Sequence, residues 1–121
     1  VDELLPRLSG WDIAPLILAR QARVALGDDV AAALNAAMVV VLIGERPGLS
    51  AADSIGAYLT FNPQPGVTKD AERNCVSNIR PDGYAPALAA DLIVWLMAEA
   101  RRLKLTGIGL KQDRPVELPG A

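Results

Sequence analysis

An α/β domain built around a mostly parallel sheet is what this sequence predicts, on three observations. Ala37–Ile43 is a continuous β-branched run without polar alternation, the pattern of a central strand covered on both faces. Hydrophobic residues make up 51% of the chain but aromatics only 4%, so its core must come from Ala, Val, Leu and Ile, the residues of close helix-on-sheet packing. Pro86–Leu103 reads as a long helix, with Leu88, Leu92, Trp95 and Leu96 in an apolar stripe. The 121 residues are one domain's worth, and neither an internal repeat nor a low-complexity linker divides them.

Taken in order, Val1–Leu8 fits one or two helical turns with Leu4, Leu5 and Leu8 on one side, stopped by Ser9-Gly10. Pro15–Arg20 is an apolar run that suits a buried strand, although its alanine and leucine content leaves helix open. Gly27-Asp28-Asp29 supplies acidic groups for a helix start, and Val30–Asn35 continues it, with Asn35 near the C-cap. The run from Ala37 stops at Gly44-Glu45-Arg46-Pro47-Gly48, after which Ser50 and Asp53 can cap one short turn. Ile55–Phe61 predicts a second strand, closed by Asn62-Pro63-Gln64-Pro65-Gly66. Thr68 can cap a short helix through Arg73; Asn74–Ile79 is strand or extended loop, and Arg80–Gly83 a turn before the long helix. The segment after Thr106 carries Asp113, Pro115 and Pro119 and is expected to be loosely held, so the domain is taken as residues 1–109 with a tail over 110–121. Val1 stands inside an amphipathic segment without an initiator Met, and upstream sequence is expected.

A formal net charge of -2 and a pI near 5.0 provide no general attraction for polyanions. Arg101, Arg102 and Lys104 cluster at a helix end, where cations complement the helix dipole, and no aromatic platform accompanies them, so neither nucleic acid nor a membrane is expected as a partner. The single cysteine, and the lack of any run resembling a signal peptide or a membrane span, point to a cytoplasmic protein. The chain has no histidine, which removes Ser-His and Cys-His nucleophiles and histidine-built metal sites.

Gly44-Glu45-Arg46-Pro47-Gly48 follows the strongest strand, where open α/β sheets place ligands. Glu45 can accept hydrogen bonds from amide donors there; a plain strand-exit turn with a solvated Glu-Arg pair is the alternative. Neither GxxxxGK[ST] nor GxGxxG is present. Cys75 lies in the polar stretch Arg73–Asn78, an odd place for a thiol that only fills a core, although a small buried hydrophobe is the usual fate of a lone cysteine. Arg73 and Arg80 have Asp70, Glu72 and Asp82 within reach as ion-pair partners. Arg23 beside Val24 can present a guanidinium at an element's end or be an ordinary surface residue.

The stretch Ala37–Leu49, followed by Ser54–Tyr58 and then Asp70–Ile79, resembles the small subunit of ethanolamine ammonia-lyase in residues, order and spacing. The likeness runs from Val1 to about Gly109 and is strongest from Met38 to Gly83, where GERPGL and ERNCVSNIRPDG together are specific; Ala22 departs from the glycine common in relatives. The resemblance implies a Rossmann-like C-terminal domain whose N-terminal companion is missing. It also implies a hetero-oligomer with a large TIM-barrel subunit that contains the substrate site, and adenosylcobalamin held between the two. Ethanolamine would become acetaldehyde and ammonia by radical chemistry that the cofactor supplies. Arg23 and Val24 match the arginine-valine pair beside the corrin, Glu45 the glutamate of the GERPG loop, and Cys75 the cysteine of the CxSNI stretch. The same resemblance implies no catalytic residue and no metal ligand on this chain, and it allows for a bacterial microcompartment. Two other readings fit the bare residues: a free-standing module holding a nucleotide or similar ligand at the Gly44 loop, and a purely structural assembly subunit.

Overall fold

The computed structural model describes residues 2–15, 17, 23–44 and 54–110. Three strands, β1 (Met38–Gly44), β2 (Ile55–Phe61) and β3 (Asn74–Ile79), form one sheet in the order β1-β2-β3, flanked by helices α1 (Leu26–Ala33) and α2 (Pro86–Leu103). Both pairings are antiparallel: Met38 faces Phe61, Val41 faces Tyr58 and Gly44 faces Ile55, while Tyr58 faces Cys75 and Leu59 faces Asn74.

This overturns the Rossmann-like, mostly parallel sheet. A parallel pair needs a crossover of a dozen or more residues, usually helical, and the connection between Gly44 and Ile55 is too short for one. Among the described residues, β1 is also an edge strand with no fully buried residue, and the central strand is β2. The apolar run in β1 is continuous because α1 packs against the strand and Met38 and Val40 reach the edge of the main core, although Leu42 is 38% exposed.

Ala57, Leu59 and Val76 meet Ala89, Ala90, Ile93, Leu96, Met97 and Ala100 of α2, and Leu4, Leu8 and Leu110 close the ends of this core. Of the stripe read from the sequence, Leu96 is buried and Leu92 and Trp95 pack against the core, but Leu88 is 61% exposed, and the buried face is completed by alanines such as Ala100, which is wholly buried. Small residues bring the helix close to the sheet, and Leu96 fills the remaining space; burying a side chain of its size contributes roughly 1.5–3 kcal/mol. Pro86 opens α2 at a position where its missing N–H costs nothing, and Lys104 ends it in the left-handed conformation.

The ends of the other elements are equally local in origin. Asn35, at φ 54°, donates to the Ala32 carbonyl while Ala36 donates to that of Ala31, the paired bonds that close a helix C-terminus. The short helix expected after Thr68 is a single 3-10 turn, Asp70–Glu72, in which Glu72 accepts from the Lys69 amide; Thr68 instead accepts from the Gln64 amide. Leu5–Leu8 is likewise a 3-10 turn, against α2. Pro15 and Ile17 belong to no regular element, and the rest of the run to Arg20 that the sequence offered as a strand lies outside the described residues apart from these two, as do Ser50 and Asp53. Among the described residues, no helix is long and apolar enough to cross a membrane.

Candidate functional site

Tyr58 and Thr60 alternate with Leu59 and Phe61 along β2, so they point to the face opposite α2. Register extends that face across the sheet. Val41, Tyr58 and Cys75 form one cross-strand row, each half-buried, and Val39 stands opposite Thr60 in the next. α1 approaches this face through Gly27: a Cβ there would lie 2.5 Å from Val41 Cγ2 and 3.4 Å from Val39 Cγ2, so only glycine permits the approach.

The turn that starts α1 is Arg23–Val24. The Arg23 carbonyl accepts from the Leu26 amide at 3.0 Å, and the Val24 carbonyl from the Gly27 amide at 2.9 Å. Val24 is therefore bonded to the residue that bears on the Val41–Tyr58–Cys75 row. Arg23 and Val24, adjacent in sequence, open the helix that packs on the sheet face to which Cys75 belongs. Arg23 is exposed and has no ion pair among the described residues, whereas Val24 and Cys75 are half-buried. Glu45 lies outside the described residues; its neighbour Gly44 ends β1 opposite Ile55.

A buried ion pair joins α1 to the residue before β3. The guanidinium of Arg73 grips Asp28 with two parallel bonds, Nη1 to Oδ1 at 2.6 Å and Nη2 to Oδ2 at 2.8 Å, and Nη1 also donates to Thr60 Oγ1 at 3.1 Å. The two side chains are 4% and 2% exposed. The hydrogen bonding of Arg73 to Asp28 holds the guanidinium pKa above its ordinary value, so the guanidinium stays charged. Of the partners expected for Arg73, Asp70 does receive its Nε, at 3.3 Å from an almost fully exposed carboxylate, but Asp28 is the principal one. No local spacing announces a partner 45 residues away; the only hint was an acidic residue in the first turn of a helix, which the dipole alone accounts for. Arg80 donates to Asn78.

Both arginines of the basic cluster at the end of α2 have partners within the chain. Arg101 lies over the Trp11 ring at 4.1 Å from its centroid, Arg102 donates twice to Glu99, and Lys104 is the helix cap. A shallow hollow of about 240 Å³ lies at the other end of the strands, lined by Phe61, Gln64, Thr68, Glu72, Lys104 and Thr106 among others, and it contains none of the predicted contact residues.

Comparison with known proteins decides the family. A sequence model for the ethanolamine ammonia-lyase light chain matches residues 1–111. The chain belongs to that family. Among light-chain relatives, the ethanolamine ammonia-lyase small subunit of Azotobacter vinelandii is 51% identical, covering 100% of this chain and 46% of the relative. That of Rhodopseudomonas palustris is 55% identical over 97% of this chain and 45% of the relative, and that of Bradyrhizobium diazoefficiens 53% over 98% and 46%. The chain thus spans a little less than half the length of these light chains.

Proposed function

We propose that this chain is part of the small subunit of an adenosylcobalamin-dependent ethanolamine ammonia-lyase, that it works against a large subunit, and that its α1 face holds one side of the cofactor. The family match over residues 1–111 carries the reading. Residues 1–109 then serve as the C-terminal domain of the subunit.

The chemistry of the face supports it. Val41, Tyr58 and Cys75 offer a half-buried, largely apolar row, and Arg23 adds exposed N–H donors at its margin, the mix of apolar wall and few polar groups that small-molecule sites use. A corrin rim carries amide arms: Arg23 donates to their carbonyl oxygens, Glu45 accepts from their NH2 groups, and Val24 and Cys75 supply compact contacts. When bound, the cofactor supplies the radical chemistry. Arg23, Val24, Glu45 and Cys75 bind and orient it, and none of them has to change protonation during turnover. The groups that handle ethanolamine belong to the large subunit.

Adenosylcobalamin-dependent release of ammonia from ethanolamine tests the reading, with the complete small subunit and its large subunit assayed together and apart. Activity is expected only in the mixture. Its absence when both are folded and loaded with cofactor refutes the assignment. Glu45→Ala is expected to raise the cofactor Kd at least fivefold with little change in the KM for ethanolamine; a change in KM alone removes Glu45 from the cofactor site.

A further inference from the structure

Resting on the cofactor reading above, we infer that Asp28 and Arg73 are positioning residues: their buried bidentate pair fixes the Arg23–Val24 turn relative to Cys75, and so sets the spacing of the cofactor contacts. Asp28 stands in the first turn of α1, directly after Gly27, whose amide holds the Val24 carbonyl. Arg73 is the last residue before β3 and lies two residues from Cys75, on the same side of the strand. Thr60 joins the pair from β2, so one guanidinium links the helix to two strands. In consequence, a contact made by the α1 turn and a contact made by β3 share one rigid connection.

Stability alone does not account for this pair. Two charges withdrawn from water recover their desolvation cost only with excellent geometry, and apolar residues of similar volume often serve as well or better. What apolar residues do not reproduce is the fork: two parallel N–H···O bonds fix distance and angle together, while methyl and methylene groups slide. α1 is short, with its own bonds and Gly27 as its closest approach to β1, so it gains an orientation from the fork that packing leaves free.

The test separates position from stability in the complete small subunit assembled with its large subunit. Asp28→Leu combined with Arg73→Met removes both charges without stranding either. We expect this double variant to fold and assemble, to bind adenosylcobalamin at least fivefold more weakly by equilibrium titration, to keep the wild-type KM for ethanolamine, and to show faster amide exchange at Gly27. Wild-type cofactor affinity in the folded double variant overturns the proposal. Should the double variant fail to fold, Arg73→Lys decides on the same readings, because it keeps the charge and loses the fork: weaker binding supports positioning, and unchanged binding overturns it. Arg23→Ala and Val24→Asp are titrated alongside. If they weaken binding and the core variants do not, the positioning inference alone fails; if they too bind as wild type, the cofactor reading fails and the inference with it.

Discussion

On the α2 face of the sheet, Ala57, Leu59 and Val76 meet Ala89, Ile93, Leu96 and Ala100 in a contact made by carbon alone. On the α1 face, half-buried Val41, Tyr58 and Cys75 lie beside a buried cluster of Asp28, Thr60 and Arg73. The α2 face has the composition of a core, in which many weak contacts add and no one of them sets a direction. The α1 face fixes directions with charge and hydrogen bonds and leaves apolar surface partly uncovered, the composition of a surface meant to meet something else. One three-stranded sheet therefore divides its labour: one side holds the fold together, and the other presents the groups we assign to the cofactor.

Four substitutions, followed by urea unfolding of the complete subunit, sharpen or break that contrast. The largest effect belongs to Asp28→Ala, which leaves the Arg73 guanidinium buried and unpaired; a loss of about 3–5 kcal/mol is expected. If the loss is under about 1 kcal/mol, the cluster is wetter than its burial implies and the two faces are not so different. Leu96→Ala on the opposite face should cost about 3 kcal/mol through lost burial and the cavity it opens, with cofactor affinity unchanged in whatever fraction stays folded. A matching drop in affinity would show that the faces are coupled.

Gly27→Ala comes next, at about 1–3 kcal/mol, because its methyl meets Val41 Cγ2 and a valine beside the backbone cannot swing aside. Relief of that contact lifts α1 off the sheet, so affinity for the cofactor should fall in the same variant. The smallest effect is expected for Glu99→Gln on the solvent side of α2. The hydrogen bonds from Arg102 hold the Glu99 carboxyl below its ordinary pKa, so whatever the pair adds is present above the usual carboxylate range and disappears as pH falls through the lowered value. Unfolding midpoints of variant and parent should differ slightly at pH 7 and converge in acid; a difference that grows in acid contradicts the assignment.

Element boundaries were legible in the residues, and sheet topology was not. Ile55–Phe61, Asn74–Ile79 and Pro86–Leu103 begin and end where turn residues and prolines place them. The run from Ala37 to Ile43 was legible as a strand, but apolarity says nothing about direction or about a place at the centre of the sheet. The informative signal was the short connection between Gly44 and Ile55, since connection length, unlike apolarity, restricts how neighbouring strands run. Likewise, Leu88 looked like a core residue because it is large and in phase with Leu92, whereas the sheet selected the alanines one step around the helix. Of the site, Arg23, Val24 and Cys75 emerged from resemblance. The face that Cys75 occupies depends on strand register, and the Asp28–Arg73 pair depends on a contact between distant segments, neither of which is written in any short stretch of sequence.

Past α2 the chain turns back to the start of β3. Thr106 accepts from the Phe61 amide and donates to the Glu72 carbonyl, and Gly107, at φ 96°, exchanges hydrogen bonds with the buried Asn74 in a place where a Cβ would strike the Ala71 carbonyl oxygen. These groups follow every strand and helix described in the chain, and synthesis runs in that order. A nascent chain therefore carries all three described strands before the Gly107 partner of the Asn74 amide is made, and the sheet acquires this fastening only when Thr106 and Gly107 have left the ribosome.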